Sequence, residues 1–176
     1  FRSHGMTREA SQETHDKYAK PDVNPLFTFA VPGYNMRSGE INAVLGLEQI
    51  KRLDYNIQKR QENFNIWLTN LDSSLYYIGY DVEGSSNYAL PLILNKDNDR
   101  MQQVCNLLEE ERVEYRLGTA GGGNQARQPY LERYGYKVVG SLETSDYIHD
   151  YGLYIGNHPE LSEKQIIDLC RRLNNV

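Results

Sequence analysis

From position 38 onward, apolar residues recur three and four apart: Ile41, Val44, Leu45, Ile50, Leu53, Ile57, Phe64, Leu68 and Leu71. That spacing places them on one stripe of a helix and predicts an element over 38–72, with Ser38 as N-cap and no proline to interrupt it. A helix of roughly 33 residues would be about 50 Å long, more than the diameter of a small domain, so it should join two domains or cross a subunit interface. Beyond it the pattern shortens. Leu75–Tyr80, Tyr88–Leu94, Val113–Leu117 and Leu153–Gly156 read as strands. Asp97–Arg112, Pro129–Tyr134 and Thr144–Asp150 read as helices or helical turns. A last helix is marked by the capping box Ser162-x-x-Gln165 ahead of Ile166, Ile167, Leu169, Cys170 and Leu173. The order predicts an α+β layer with a short, mainly antiparallel sheet.

Before position 38 the pattern is weaker. Residues 1–6 read as a helix end stopped by Gly5, 7–25 as an irregular excursion, and Leu26–Val31 as a short extended run. Three segments follow from the whole pattern: 1–37 as the tail of a larger domain, 38–72 as a connecting helix, and 73–176 as a small C-terminal domain.

Composition narrows the class. The 176 residues are 39% hydrophobic and 24% charged, with formal net charge −5, which suits a real core and argues against a general nucleic-acid binder. No apolar run approaches the ~20 residues of a membrane-spanning helix, and no signal peptide is seen at the start. Cys105 and Cys170 fall on apolar helix faces and read as reduced, buried thiols of a cytoplasmic protein. Tyrosine is frequent, 14 copies against 4 phenylalanines, and its clusters suit either stacking on a sugar or base or amphipathic packing.

The candidate chemistry is sparse. Gly33-Tyr34-Asn35-Met36-Arg37 sits at the mouth of the long helix, where free N–H groups and a positive dipole end favour an anion; an ordinary glycine turn explains it as well. Ala120–Pro129, AGGGNQARQP, can wrap a phosphate with Arg116 and Arg127 as counter-charges, but it lacks a P-loop context, and its spacing alone favours a mobile surface loop. His4 and Arg8 can reach a ligand from the first turn of the chain, although a lone His near a helix end is more often a capping or surface group. No His, Cys, Asp or Glu set has metal-ligand spacing, and no GxSxG nucleophile appears.

Taken together, FRSHGMTRE and GYNMRSGEINAVLGLEQIKRLDYNIQKRQENF resemble the DegT/StrS-type sugar aminotransferases, pyridoxal-phosphate enzymes of the type I aminotransferase fold that act on nucleotide-linked keto-sugars. The later stretch EYRLGTAGGGNQARQPYLERYGYKVVGSLETSDYIHDYGLYIGNHPELS resembles their 3-dehydratase branch, which removes the C3 hydroxyl of nucleotide-linked 4-keto-6-deoxyhexoses; the His-Tyr…Pro-x-His segment of typical aminotransferases is missing. The resemblance implies a homodimer using pyridoxal or pyridoxamine 5′-phosphate in lipopolysaccharide, O-antigen or related deoxysugar biosynthesis. It implies that Asn35 reaches the cofactor phosphate across the dimer, that His4 assists catalysis and Arg8 approaches the sugar from the partner subunit, and that Arg37, Arg116, Asn124 and Arg127 serve the substrate. Glu40 matches a position near the helix start. The family's cofactor-anchoring Lys (His in dehydratases), its aspartate facing the pyridine nitrogen and its stacking aromatic would lie upstream of Phe1, so the chain alone is expected to be inactive. The alternative in another class is a non-catalytic dimerisation or sugar-nucleotide-binding module.

Overall fold

In the computed structural model, the described residues are 4–36, 39–95, 100–118 and 123–176, without the side chain of Glu132. The chain forms two compact units, Phe1–Arg52 and Leu53–Val176.

In the first unit, Gly5 and Met6 run antiparallel to Phe29 and Ala30. Met6 bridges Phe29, Thr7 N–H donates to the Thr28 carbonyl at 2.9 Å, and Ala30 N–H donates to the Gly5 carbonyl at 2.9 Å. Gly5 has φ +73, and a Cβ there would lie 2.0 Å from the Val31 carbonyl oxygen, so only glycine fits this approach. Between the paired segments lie a 3₁₀ turn, Thr7–Glu9, and helix α1, Gln12–Tyr18. The sequence pattern predicts only an irregular excursion there. Helix α1 buries none of its residues and therefore has no apolar stripe; what specifies it is Ser11, whose hydroxyl accepts from Thr14 N–H at 3.4 Å. The Leu26–Val31 run is not extended throughout, because Asn24 caps a 3₁₀ turn over Pro25–Phe27 before the chain straightens.

The long apolar stripe is folded as two helices, α2 over Glu40–Ile50 and α3 over Leu53–Asn70. The interruption needs no proline: Arg52 N–H turns to the Gln49 carbonyl three residues back, at 3.0 Å, and the α-ladder gives way to a tighter turn. Gly39 occupies the N-cap position of α2, while Ser38 lies outside the described residues. The apolar residues of α2 (Ile41, Val44, Leu45, Leu47, Ile50) are exposed.

In the second unit, three strands form an antiparallel sheet in the order β1-β3-β2: β1 is Ala89–Ile93, β2 Tyr115–Leu117 and β3 Gly152–Gly156. Leu90 pairs with Ile155 and Leu92 with Leu153, and all four are buried on the sheet's inner face. That face meets α3, α4 (Met101–Glu110) and α7 (Glu163–Leu173) through residues at helical spacing: Phe64, Trp67 and Leu71; Val104, Cys105 and Leu108; Ile166, Cys170 and Leu173. Full burial of each large side chain is worth about 1.5–3 kcal/mol. Two of the core aromatics have their polar atoms paired. Trp67 Nε1–H donates to the Pro91 carbonyl at 2.9 Å and the Tyr76 hydroxyl to the Leu173 carbonyl at 2.6 Å. The capping box of α7 is formed in both directions.

Leu75–Tyr80 contributes a single bridge, Tyr76 to Leu94, instead of the strand that its aromatic content predicts. The Tyr77 hydroxyl donates to the Gly79 carbonyl at 2.6 Å and folds the chain back on itself. Helices α5, Pro129–Tyr134, and α6, Glu143–Tyr151, complete the unit. Both cysteines are free and buried, and burial pushes the Cys170 thiol up to about 12.

Candidate functional site

The candidate residues fall into two groups, one in each unit. In the first unit His4 and Arg8 flank opposite ends of the short 5–7/28–30 ladder: His4 precedes Gly5 on the side where the other strand continues into Val31 and on to Asn35, and Arg8 follows Thr7 on the side of Phe27. His4 is half-buried. Arg8 is exposed, with its guanidinium carbon 5.2 Å from the centre of the Phe27 ring, a cation–π contact that orients the charge. Asn35 is exposed and has φ +52, a left-handed conformation that asparagine tolerates better than most residues. Its carboxamide is thus displayed at a turn just ahead of a helix, and an N–H donor there suits a phosphate oxygen. Arg37 lies outside the described residues.

In the second unit Arg116 stands on β2 opposite Tyr154 of β3. It is largely exposed, lies 3.6 Å from Glu114, and lines a groove of about 770 Å³ together with Tyr88, Arg112, Tyr115, Tyr154 and His158. The Tyr88 and Tyr154 rings meet edge to face, 6.0 Å apart, and their mutual interaction raises the Tyr88 phenol above its ordinary value. Beside Glu109 the Tyr115 hydroxyl is likewise held high.

Asn124 and Arg127 are engaged differently. The Asn124 carboxamide donates to Asp146 at 2.8 Å and accepts from Ala126 N–H at 2.9 Å, and its backbone N–H donates to His149 Nδ1 at 3.1 Å. Arg127 Nε donates to Asp146 at 2.7 Å, while its two terminal nitrogens reach Asp150 at 2.7 and 3.1 Å. Asp150 and then Asp146 hold the guanidinium above its ordinary value. In return the Asp146 carboxyl is lowered by Asn124 and Arg127, and the Asp150 carboxyl by Arg127. These acidic partners on α6 carry no sequence signal beyond the spacing of Asp146 and Asp150 on one helix face. Among the described residues, no group of three or more His, Cys, Asp or Glu could hold a metal ion, and no helix is long and apolar enough to cross a membrane.

A second polar cluster escaped sequence reasoning altogether. Asn157, 1% exposed, donates to the carbonyls of Arg60 (3.0 Å) and Asn87 (2.9 Å) and accepts from Asn63 Nδ2 at 3.1 Å. Asn157, directly after β3, is therefore a tie between β3, α3 and the approach to β1.

With this arrangement in view, the chain can be set beside known proteins. The sequence profile of the DegT/DnrJ/EryC1/StrS aminotransferase family matches residues 1–174, and the chain belongs to that family. It is 31% identical over its whole length to the GDP-4-keto-6-deoxy-D-mannose 3-dehydratase of Yersinia pseudotuberculosis, of which it covers 44%. It is 28% identical to the UDP-4-amino-4,6-dideoxy-N-acetyl-beta-L-altrosamine transaminase of Campylobacter jejuni, over 75% of this chain and 35% of that one. Among solved structures, E. coli GDP-4-keto-6-deoxy-D-mannose-3-dehydratase with bound hydrated PLP superposes with a TM-score of 0.79 at 26% identity, over 97% of this chain and 44% of that one. The chain thus spans less than half the length of these relatives. The likeness bears out the expected fold class, an α+β portion of the type I aminotransferase fold, with the small antiparallel sheet in place.

Proposed function

We propose that the chain is the C-terminal portion of a pyridoxal- or pyridoxamine-phosphate-dependent enzyme that modifies nucleotide-linked 4-keto-6-deoxy sugars, on the 3-dehydratase side of its family. The observation that carries this reading is the family match over residues 1–174 together with full-length similarity to a 3-dehydratase. The whole enzyme would work as a cytoplasmic homodimer in lipopolysaccharide, O-antigen or related deoxysugar biosynthesis.

The residues present fit the cofactor's periphery rather than its anchor. The exposed carboxamide of Asn35, at its left-handed turn, would donate to the cofactor phosphate in the partner subunit's site. When bound, the cofactor supplies an electron sink next to the sugar's C4 carbon. From the two ends of the ladder, His4 would hold or move a proton and Arg8 would orient the sugar. Arg116, exposed at the rim of its groove, would face the nucleotide's phosphates. The principal base and the anchoring residue are assigned to the part of the enzyme that precedes this chain in its relatives.

The test is to express the full coding sequence and supply it with GDP- and dTDP-linked 4-keto-6-deoxyhexoses, glutamate and the cofactor. Mass spectrometry should show a product lacking the C3 hydroxyl. A 4-amino sugar that keeps C3 oxygenated would move the protein to the aminotransferase branch, and an untouched substrate would favour the non-catalytic assembly module. The 176-residue chain alone should give no saturable, stoichiometric absorbance change with pyridoxal phosphate.

A further inference from the structure

The glycine-rich stretch between β2 and α5 is anchored at both described ends. At the sheet, Gly118 N–H donates to the Gly152 carbonyl at 2.7 Å. At its far end, the turn Gly123–Gln128 lies on α6 through four separate side-chain links. Asn124 N–H reaches His149 and Asn124 Nδ2 reaches Asp146. The Arg127 fork takes hold of both Asp146 and Asp150. An accepting Nδ1 requires the proton of neutral His149 to sit on Nε2. The approach is also sterically closed, since a Cβ on Gly123, at φ +86, would lie 2.4 Å from His149 Nδ1. Within the turn, Asn124 Oδ1 accepts from Ala126 N–H, and the Asn124 and Gln125 carbonyls accept from Arg127 and Gln128 N–H.

We propose that Arg127, Asn124 and His149 are positioning residues: with Asp146 and Asp150 they clamp this turn to α6, and Arg127 does not itself contact the substrate. The geometry supports this because Arg127 Nε and both terminal nitrogens are turned to carboxylates of its own unit, and a guanidinium offers only five donors in a fixed fork. A nucleotide's phosphates would have to displace two carboxylates from it. Arg116, largely exposed beside Glu114 and Tyr154, holds no bidentate carboxylate pair of this kind, so it can serve an incoming anion while Arg127 holds the backbone.

The clamp itself follows from the geometry alone; its catalytic consequence rests on the nucleotide-sugar reading, and the experiment keeps the two apart. In the 176-residue chain, Arg127→Lys and Asp150→Asn should each speed amide exchange at Asn124 and at Ala126–Gln128 by about tenfold, as expected for a lost bidentate charge-assisted pair. The α7 amides should keep their protection, which shows that the fold is intact, and Asp150→Glu should restore most of the effect. In the full-length enzyme the two variants should each lower kcat by about tenfold with KM changed less than about twofold, and the double variant should match either one. Unchanged exchange in both variants overturns the clamp. A rise in KM for Arg127→Lys, with KM unchanged or lowered for Asp150→Asn, would show a substrate contact and overturn the positioning role. A wild-type enzyme inactive on nucleotide sugars defeats the functional reading instead, and the exchange measurement then decides the clamp by itself.

Discussion

Asn157 shows how one residue can matter more than its chemistry suggests. Its carboxamide joins a buried corner where two backbone carbonyls, from Arg60 and Asn87, take both of its protons, beside the tie that Asn63 makes to the His158 carbonyl. Removing it leaves those carbonyls without the water that they would bond in the unfolded chain, a cost of about 1–3 kcal/mol for each unmet group. Asn157→Ala should therefore lower unfolding stability in urea by about 3 kcal/mol, whereas Tyr77→Phe, which deletes an exposed hydroxyl bond to Gly79, should change it by less than about 0.5 kcal/mol. Equal effects from the two would show that the corner is wetter than its geometry indicates. Gly5 is the counterpart in the first unit. Gly5→Ala meets both an unfavourable φ and the Val31 carbonyl, and where the first unit is held by a covering surface the protection of the Thr7 and Ala30 amides should be lost. The partners of Asn157 lie 70 to 97 residues away along the chain, so periodicity and local motifs carry no trace of them.

At the scale of elements, what could be read in the sequence was what is settled locally. The capping box and the i, i+4, i+7 spacing of Ile166, Cys170 and Leu173 specify α7 with no reference to the rest of the molecule, and β1, β3, α4 and α5 stand where their patterns put them. The break between α2 and α3 was hidden because the apolar stripe runs straight across Lys51 and Arg52, whose N–H groups both turn to the Gln49 carbonyl. The clamp on α6 was hidden for another reason: Arg127 looks like a free cation until the fold brings up Asp146 and Asp150, 19 and 23 residues on. Those two carboxyls titrate below the ordinary aspartate range in the folded protein, so the unfolded chain takes up protons first as the pH falls. The clamp's contribution should be complete above about pH 4, the ordinary aspartate value, and should disappear as the pH falls through the lower folded-state values. The stability difference between wild type and Asp150→Asn, followed by urea unfolding from about pH 6 down to about pH 3, should shrink toward zero at the acid end. A difference independent of pH would mean that the carboxylate's charge is not what holds Arg127.

At the scale of the whole molecule, the two units differ in what sustains them. Every buried hydrophobic side chain of the described core, from Phe64 to Leu173, belongs to the second unit. The first unit has ladder bonds, caps and a cation–π contact, with Thr7 and Thr28 as its buried residues, and α2 turns Ile41, Val44, Leu45 and Ile50 outward. Hydrogen bonds and caps of this kind contribute about 1 kcal/mol each, against an ordering cost of about 1–2 kcal/mol per residue of backbone. Such a segment holds its conformation only when a neighbouring surface covers its apolar side. The two units should accordingly part company in hydrogen exchange of the 176-residue chain. Amides of α3 and α7 should exchange with the protection of global unfolding, reported independently by the fluorescence of the single Trp67 at the centre of the core. Amides of α2 should exchange within about a factor of ten of an unstructured peptide. Wherever a further surface covers the apolar side of α2, the same amides should slow by orders of magnitude. Protection of α2 equal to that of α7 in the isolated chain would show that the exposed stripe is not what limits the first unit's stability.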